Sequence, residues 1–227
     1  AGVSLAAQQP RNNVIRTAVQ ALAAVLGGAN SLHTNSLDEA LALPTVEAAT
    51  LALRTQQIIA HESGVTGTVD PLGGSYFLEK LTTDMEAGAV EYFQTIDDLG
   101  GMVEAIEQGF PQREIAESAY RFQKQVELGE RDIVGVNVHG DNGELGVETL
   151  YINEDVSERQ IGKLNDLRRT RDANRVARSL AAVREVALGK TNLMPSLLEA
   201  VRAYATLGEI CDALRDAWGE YEETPTI

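Results

Sequence analysis

The chain has 227 residues, 44% of them hydrophobic and 5% aromatic, with a formal net charge of −15 from 34 acidic and 19 basic side chains. The hydrophobic share supports a packed interior and excludes wholesale disorder. The charge repels phosphate backbones and anionic lipid, which argues against nucleic acid and membrane partners. The bases are 15 Arg and four Lys (Lys80, Lys124, Lys163 and Lys190). This acid-rich, lysine-poor balance suits a salt-tolerant surface and an ordinary acidic cytoplasmic protein equally well. Cys211 is the only cysteine, which excludes an intrachain disulfide and a thiolate metal cluster. Its setting in the apolar-periodic stretch Leu207 to Trp218 predicts a buried, inert thiol.

Taken in chain order, Pro10 suits a first helical turn. Val14, Ala18, Ala21, Leu22 and Val25 then recur at helical spacing until Gly27-Gly28 ends the run. This apolar run, interrupted by Gln20, is too short to span a bilayer. No secretory signal pattern opens the chain, so a cytoplasmic location is expected. Ala29 to Thr34 reads as a short buried strand, followed by the polar loop Asn35-Ser36-Leu37-Asp38-Glu39. A second helix is predicted from Pro44-Thr45 to about Glu62, with Thr45 as its N-cap. Helix, strand, loop and helix are what a cut-open α/β barrel would show. One strand cannot form a sheet, so residues 1–64 are expected to need strands from elsewhere.

After Gly64 the sequence changes character. Asp70-Pro71-Leu72-Gly73-Gly74-Ser75-Tyr76 is a turn-rich joint, and Thr83 with Glu86 has capping-box spacing for a third helix reaching about Leu99. Helical pattern resumes from Met102 to Gln108, breaks at Gly109-Phe110-Pro111 and continues to about Leu128, giving a helical extension over 65–132. Residues 133–156 are Val- and Gly-rich and read as an extended linker with a hairpin around Gly140 to Gly143. The last region, 157–227, is predicted helical. Ser157 and Gln160 open one long helix through about Leu188, and further helices cover Met194 to Tyr204 and Leu207 to Tyr221.

No P-loop, dinucleotide fingerprint or serine nucleophile elbow is present. His33, His61 and His139 are too scattered to suggest a metal site by spacing. His61 falls late in a helix, where it serves the helix dipole, and His139 reads as solvent-facing. The dense polar cluster is Ser31 to Ala40. If Ala29 to Thr34 is a barrel strand, this cluster lies at the C-terminal mouth where such barrels build active sites. There Asn35 offers donors and an acceptor, and Glu39 an acceptor. The same residues also suit an ordinary loop that caps a helix.

Ser4-Leu5-Ala6-Ala7-Gln8, Asn12-Asn13-Val14-Ile15-Arg16-Thr17, Gly28 through Leu41, Arg54-Thr55-Gln56 and Asp70 to Tyr76 resemble methylmalonyl-CoA mutase large subunits. Looser similarity continues through Gly100-Gly101-Met102, Ile133 to Asn137, Leu167 to Asp172 and Gly208-Glu209-Ile210. The resemblance implies the last helix, strand and helix of a TIM-like (β/α)8 barrel followed by a mainly helical C-terminal segment. It implies adenosylcobalamin as cofactor and an acyl-CoA substrate, with radical rearrangement of (R)-methylmalonyl-CoA to succinyl-CoA. Sister mutases for isobutyryl-CoA or ethylmalonyl-CoA and a non-catalytic docking module are the alternatives.

By position, Asn35 and Glu39 are implied to hold the adenosyl ribose and its neighbourhood, and Gly2 and Ala42 to lie against the corrin or its upper ligand. Val3 stands where some relatives carry an aromatic residue. The resemblance places the catalytic residues in the preceding part of the barrel. No Asp-x-His-x-x-Gly motif occurs, so a cobalamin-binding domain or subunit is implied to supply the cobalt ligand. The implied partners are that domain, the remainder of the barrel and further copies in an oligomer.

Overall fold

A computed structural model describes residues 2–140 and 146–222. The chain divides into two compact units, one up to Tyr151 and one from Ile152.

The first unit opens with a short 3-10 turn, Gly2–Ser4, and helix α1, Asn12–Leu26. Helix α1 ends where Gly27 N–H bonds Ala23 O and Gly28 takes φ +78°, a left-handed conformation that a side chain would disfavour. Helix α2, Val46–Glu62, begins as expected at Thr45, whose hydroxyl accepts the Ala48 N–H at 3.1 Å. Its last turn carries His61, as expected of a side chain serving the helix dipole, and the residue is exposed.

The strand expected between α1 and α2 does not form. Residues 32–36 run without ladder hydrogen bonds, and no β-strand occurs among the described residues. The only pairing there is an isolated bridge between Val134 and Val138. A strand is completed by its neighbour's amides and carbonyls, and no neighbouring strand is present to provide them.

Helices α3 (Tyr76–Asp98), α4 (Met102–Glu107) and α5 (Phe110–Glu127) follow. Helix α3 starts seven residues before the expected capping box. The turn from Asp70 ends at Gly74, φ +80°, whose N–H is accepted by Glu79 Oε1 at 2.8 Å. Thr83 is therefore already inside the helix, its hydroxyl donating to Glu79 O at 2.9 Å. Between α3 and α5, Tyr92 packs near Phe110 with ring centroids 6.2 Å apart, and its hydroxyl donates to Glu114 at 2.7 Å. That hydrogen bond to a carboxylate, with its charge, raises the Tyr92 pKa.

The segment after α5 is irregular but tied back to α1 and the turn before it. Arg16 Nη2 donates to Val134 O at 2.6 Å, Gln9 Nε2 to His139 O at 3.0 Å and Arg11 Nη2 to Gly146 O at 3.2 Å. His139 is exposed, at φ +52°. The hairpin expected around Gly140 to Gly143 falls mostly on residues outside those described.

The second unit contains α6 (Asp155–Thr170), α7 (Ala173–Ala187), α8 (Met194–Arg202) and α9 (Leu207–Trp218). The long helix expected through Leu188 is two helices. Arg171 turns extended, at ψ 158°, and Asp172 caps α7 by accepting the Arg175 N–H at 2.9 Å. Ser157 lies within the first turn of α6 rather than before it.

Val183, Ala200 and Ile210, one from each of α7, α8 and α9, form the core, with Leu180, Leu197 and Leu214 packed against it. Arg171, with a 9% exposed side chain, makes a bidentate pair with Glu209 and donates to Tyr204 O at 2.7 Å. Glu209 also completes a capping box with Thr206 at the start of α9. The Arg171 hydrogen bonds lower the Glu209 pKa from 4.5 to about 2. Cys211 is half-buried, less enclosed than expected.

Candidate functional site

The polar cluster of the sequence is a wound loop between α1 and α2, with one buried and one exposed side. On the buried side Thr34, Asn35, Ser36 and Asp38 are all under 9% exposed. The Asp38 carbonyl accepts the N–H groups of Leu41 (2.8 Å) and Ala42 (3.0 Å), and Ser36 O accepts that of Glu39 (3.3 Å). The chain thereby turns without regular helix, leaving Glu39 exposed. Gln56, one turn beyond Ala52 on α2, donates to Thr34 Oγ1 at 2.9 Å, and Thr34 donates to Ala52 O at 2.8 Å.

Three of the four residues expected to meet a cofactor come together. Glu39 and Ala42 line one hollow of about 660 Å³ with His33, Thr34, Ser36 and Gln56. Gly2, which is not part of that lining, lies against the Glu39 side chain from the start of the chain. A Cβ built on Gly2 would lie 2.6 Å from Glu39 Oε1, so the carboxylate in this position occupies space that a side chain at Gly2 would contest. Asn35 does not line this hollow. It is buried at 8% exposure, and its carbonyl faces Thr17 Oγ1 of α1 at 3.5 Å.

Two side chains that the sequence reading passed over organise the loop. Asn13 in the first turn of α1 is fully buried and uses both ends of its amide. Its Oδ1 accepts from Ala6 N at 3.1 Å and Arg16 Nη1 at 2.7 Å, while Nδ2 donates to Ala6 O and Leu37 O, both at 2.9 Å. Asp38 is also fully buried; its Oδ2 accepts the Thr45 N–H at 2.9 Å, and its Oδ1 has no hydrogen-bond partner among the described residues. A polar residue in the first turn of a helix ordinarily reads as capping, which hid Asn13. Asp38, flanked by Leu37 and Glu39, looks like one more loop acid.

The hollow has the elements of a site for a hydroxyl-rich ligand: an exposed carboxylate acceptor, an imidazole, and a small residue, Ala42, that permits close approach. No group of three or more potential metal ligands occurs among the described residues. No helix among them is long and apolar enough to cross a membrane.

The methylmalonyl-CoA mutase family model matches residues 1–220. The methylmalonyl-CoA mutase of Rhizobium meliloti (strain 1021) is 46% identical over 228 residues, covering 100% of this chain and 32% of that protein. The 2-hydroxyisobutanoyl-CoA mutase large subunit of Aquincola tertiaricarbonis is 44% identical over 229 residues, covering 100% of this chain and 41% of its own length. The methylmalonyl-CoA mutase of Escherichia coli (strain K12) is 47% identical over 221 residues, covering 97% and 31%. The chain thus spans about a third of the length of such relatives. With this similarity running along the whole chain, the protein belongs to the methylmalonyl-CoA mutase family.

Proposed function

We propose that this chain forms the closing portion of the (β/α)8 barrel of an adenosylcobalamin-dependent acyl-CoA mutase, together with the helical segment that follows it. The favoured reaction is the rearrangement of (R)-methylmalonyl-CoA to succinyl-CoA. In this reading α1, residues 29–34 and α2 complete a barrel whose other strands come from the remainder of the mutase. The observation that carries the proposal is that Glu39 and Ala42 line one hollow while Gly2, from the distant start of the chain, lies against the Glu39 carboxylate, all three being residues that the resemblance turns toward the cofactor.

The residues present fit an adenosyl group. Glu39 offers an exposed carboxylate for ribose hydroxyls, Gly2 leaves the space that this carboxylate takes, and the small Ala42 beside it keeps the hollow open. When bound, adenosylcobalamin supplies the radical chemistry. This chain orients the adenosyl moiety through Glu39, and the walls of the hollow shield it from water. Asn35, held under the loop, supports that wall from behind. The cobalt ligand comes from a cobalamin-binding domain or subunit, and the groups that act on the acyl-CoA come from the rest of the barrel.

Similarity to the 2-hydroxyisobutanoyl-CoA mutase large subunit supports a second reading, a sister mutase acting on a branched acyl-CoA. Parallel assays of the intact mutase on methylmalonyl-CoA and 2-hydroxyisobutanoyl-CoA separate the two. A docking module without a catalytic role is tested by Glu39→Ala in the intact enzyme. The cofactor-site reading expects turnover to fall at least about 10²-fold while assembly survives. Unchanged turnover would leave only the docking role.

A further inference from the structure

Glu39 is exposed and flexible in itself, so its direction must be set by what holds the loop beneath it. Two fully buried polar side chains do this from opposite sides. Asp38, the residue next to Glu39, fastens the loop forward to the start of α2 through the Thr45 N–H. Its own carbonyl closes the turn onto Leu41 and Ala42, which puts Ala42 at a fixed offset from Glu39. Asn13 fastens the loop backward. One amide nitrogen bonds both Leu37 O, in the loop, and Ala6 O, in the stretch that carries Gly2. The same amide's oxygen accepts the Ala6 N–H. Asn13 is thus the joint between the two segments that bring Gly2 and Glu39 into contact.

Neither side chain lines the hollow. A buried carboxylate and a buried amide are expensive to desolvate, and an apolar pair would fill the same volume with less penalty. Directional hydrogen bonds instead fix a single loop geometry, which apolar packing does less sharply.

We infer that Asp38 and Asn13 are positioning residues that act on the bound adenosyl group through Glu39. The inference rests on the cofactor reading of Glu39 given above. The test uses equilibrium titration of the intact mutase with two probes, adenosylcobalamin and hydroxocobalamin, which lacks the adenosyl group. Asp38→Ala and Asn13→Ala should each weaken adenosylcobalamin binding about tenfold, the weight of roughly one hydrogen bond, and leave hydroxocobalamin within about twofold. Asp38→Asn keeps an oxygen to accept the Thr45 N–H and should recover most of the loss. In a Glu39→Gln background, Asp38→Ala should add less than about threefold, because the two changes act on one contact.

A general loss of folding would weaken both probes together, and that result overturns the inference, as does full additivity with Glu39→Gln. The role of Glu39 and the positioning role of Asp38 and Asn13 are separable by these variants. If Glu39→Gln alone leaves adenosylcobalamin binding unchanged, the cofactor reading falls. If Glu39→Gln acts while Asp38→Ala and Asn13→Ala do not, only the positioning role falls.

Discussion

The two units bury opposite kinds of side chain. Every buried polar or charged residue among those described lies between Asn13 and Thr55, where the buried apolar residues are only Ala21 and Ala48. From Ile152 onward the buried residues are Val176, Val183, Ala200, Ala203 and Ile210. The second unit is held by the transfer of apolar surface out of water, which is non-directional and tolerant of detail. The region around α1 and α2 is held by hydrogen bonds that require particular atoms at particular places. It also leaves Ile15, Val19, Leu53 and Ile58 exposed. A region that spends its buried volume on polar contacts shapes a loop; one that spends it on aliphatic contacts makes a stable body.

This contrast can be tested with Trp218, the only tryptophan, which sits at the end of α9 and donates to Ala187 O at 2.8 Å. The largest effect is expected from Val183→Asp, which buries an unpaired charge in the centre of the second unit. Its loss of about 4 kcal/mol should unfold that unit. Trp218 fluorescence during urea titration would report it, and a wild-type midpoint would refute the apolar-core account.

Next comes Arg171→Ala, which strips Glu209 of a bidentate partner at a mostly buried position and should cost about 2 kcal/mol at neutral pH. Its pH dependence carries a sign. The Glu209 pKa is depressed in the folded state, so the ion-pair contribution is complete above about 4.5 and disappears as pH falls toward about 2. The wild type should therefore lose its advantage over Arg171→Ala across that window, as read from the urea midpoint at each pH. A constant difference between pH 7 and pH 2 would contradict the assignment.

Thr45→Ala removes a helix cap but keeps the N–H that Asp38 accepts. A loss of about 1 kcal/mol is expected, visible as faster amide exchange in the first turn of α2. Gly2→Ala should have the least effect on stability, under about 0.5 kcal/mol, because the atom it meets is the end of an exposed side chain. Its effect belongs to the site. By displacing the Glu39 carboxylate it should weaken adenosylcobalamin binding severalfold in the intact mutase, measured by titration. An unchanged affinity would mean that the contact between Gly2 and Glu39 has no functional weight.

The sequence by itself determined the helices and most of their ends, because 3.6-residue periodicity, Gly27-Gly28, Thr45 and Pro111 act within a few residues of chain. It also singled out the loop that carries Glu39, and the resemblance to mutase large subunits extended that to Gly2 and Ala42. Local pattern failed where a competing contact was decisive. Capping-box spacing occurs at Thr83, Ser157 and Thr206 alike, yet only Thr206 starts a helix with it, since Glu209 is fixed there by Arg171. The break at Arg171 has the same origin, as the guanidinium is drawn to a residue 38 positions later.

The strand expected at Ala29 to Thr34 needs partners that no local signal supplies. The roles of Asn13 and Asp38 were equally invisible. Asn13 bonds atoms brought near only once α1, the Gly2 stretch and the loop have packed, and Asp38 bonds the Thr45 N–H only because the loop winds back onto the start of α2. Tertiary structure alone decided those contacts, because a buried amide or carboxylate takes its meaning from whichever donors and acceptors the fold places around it.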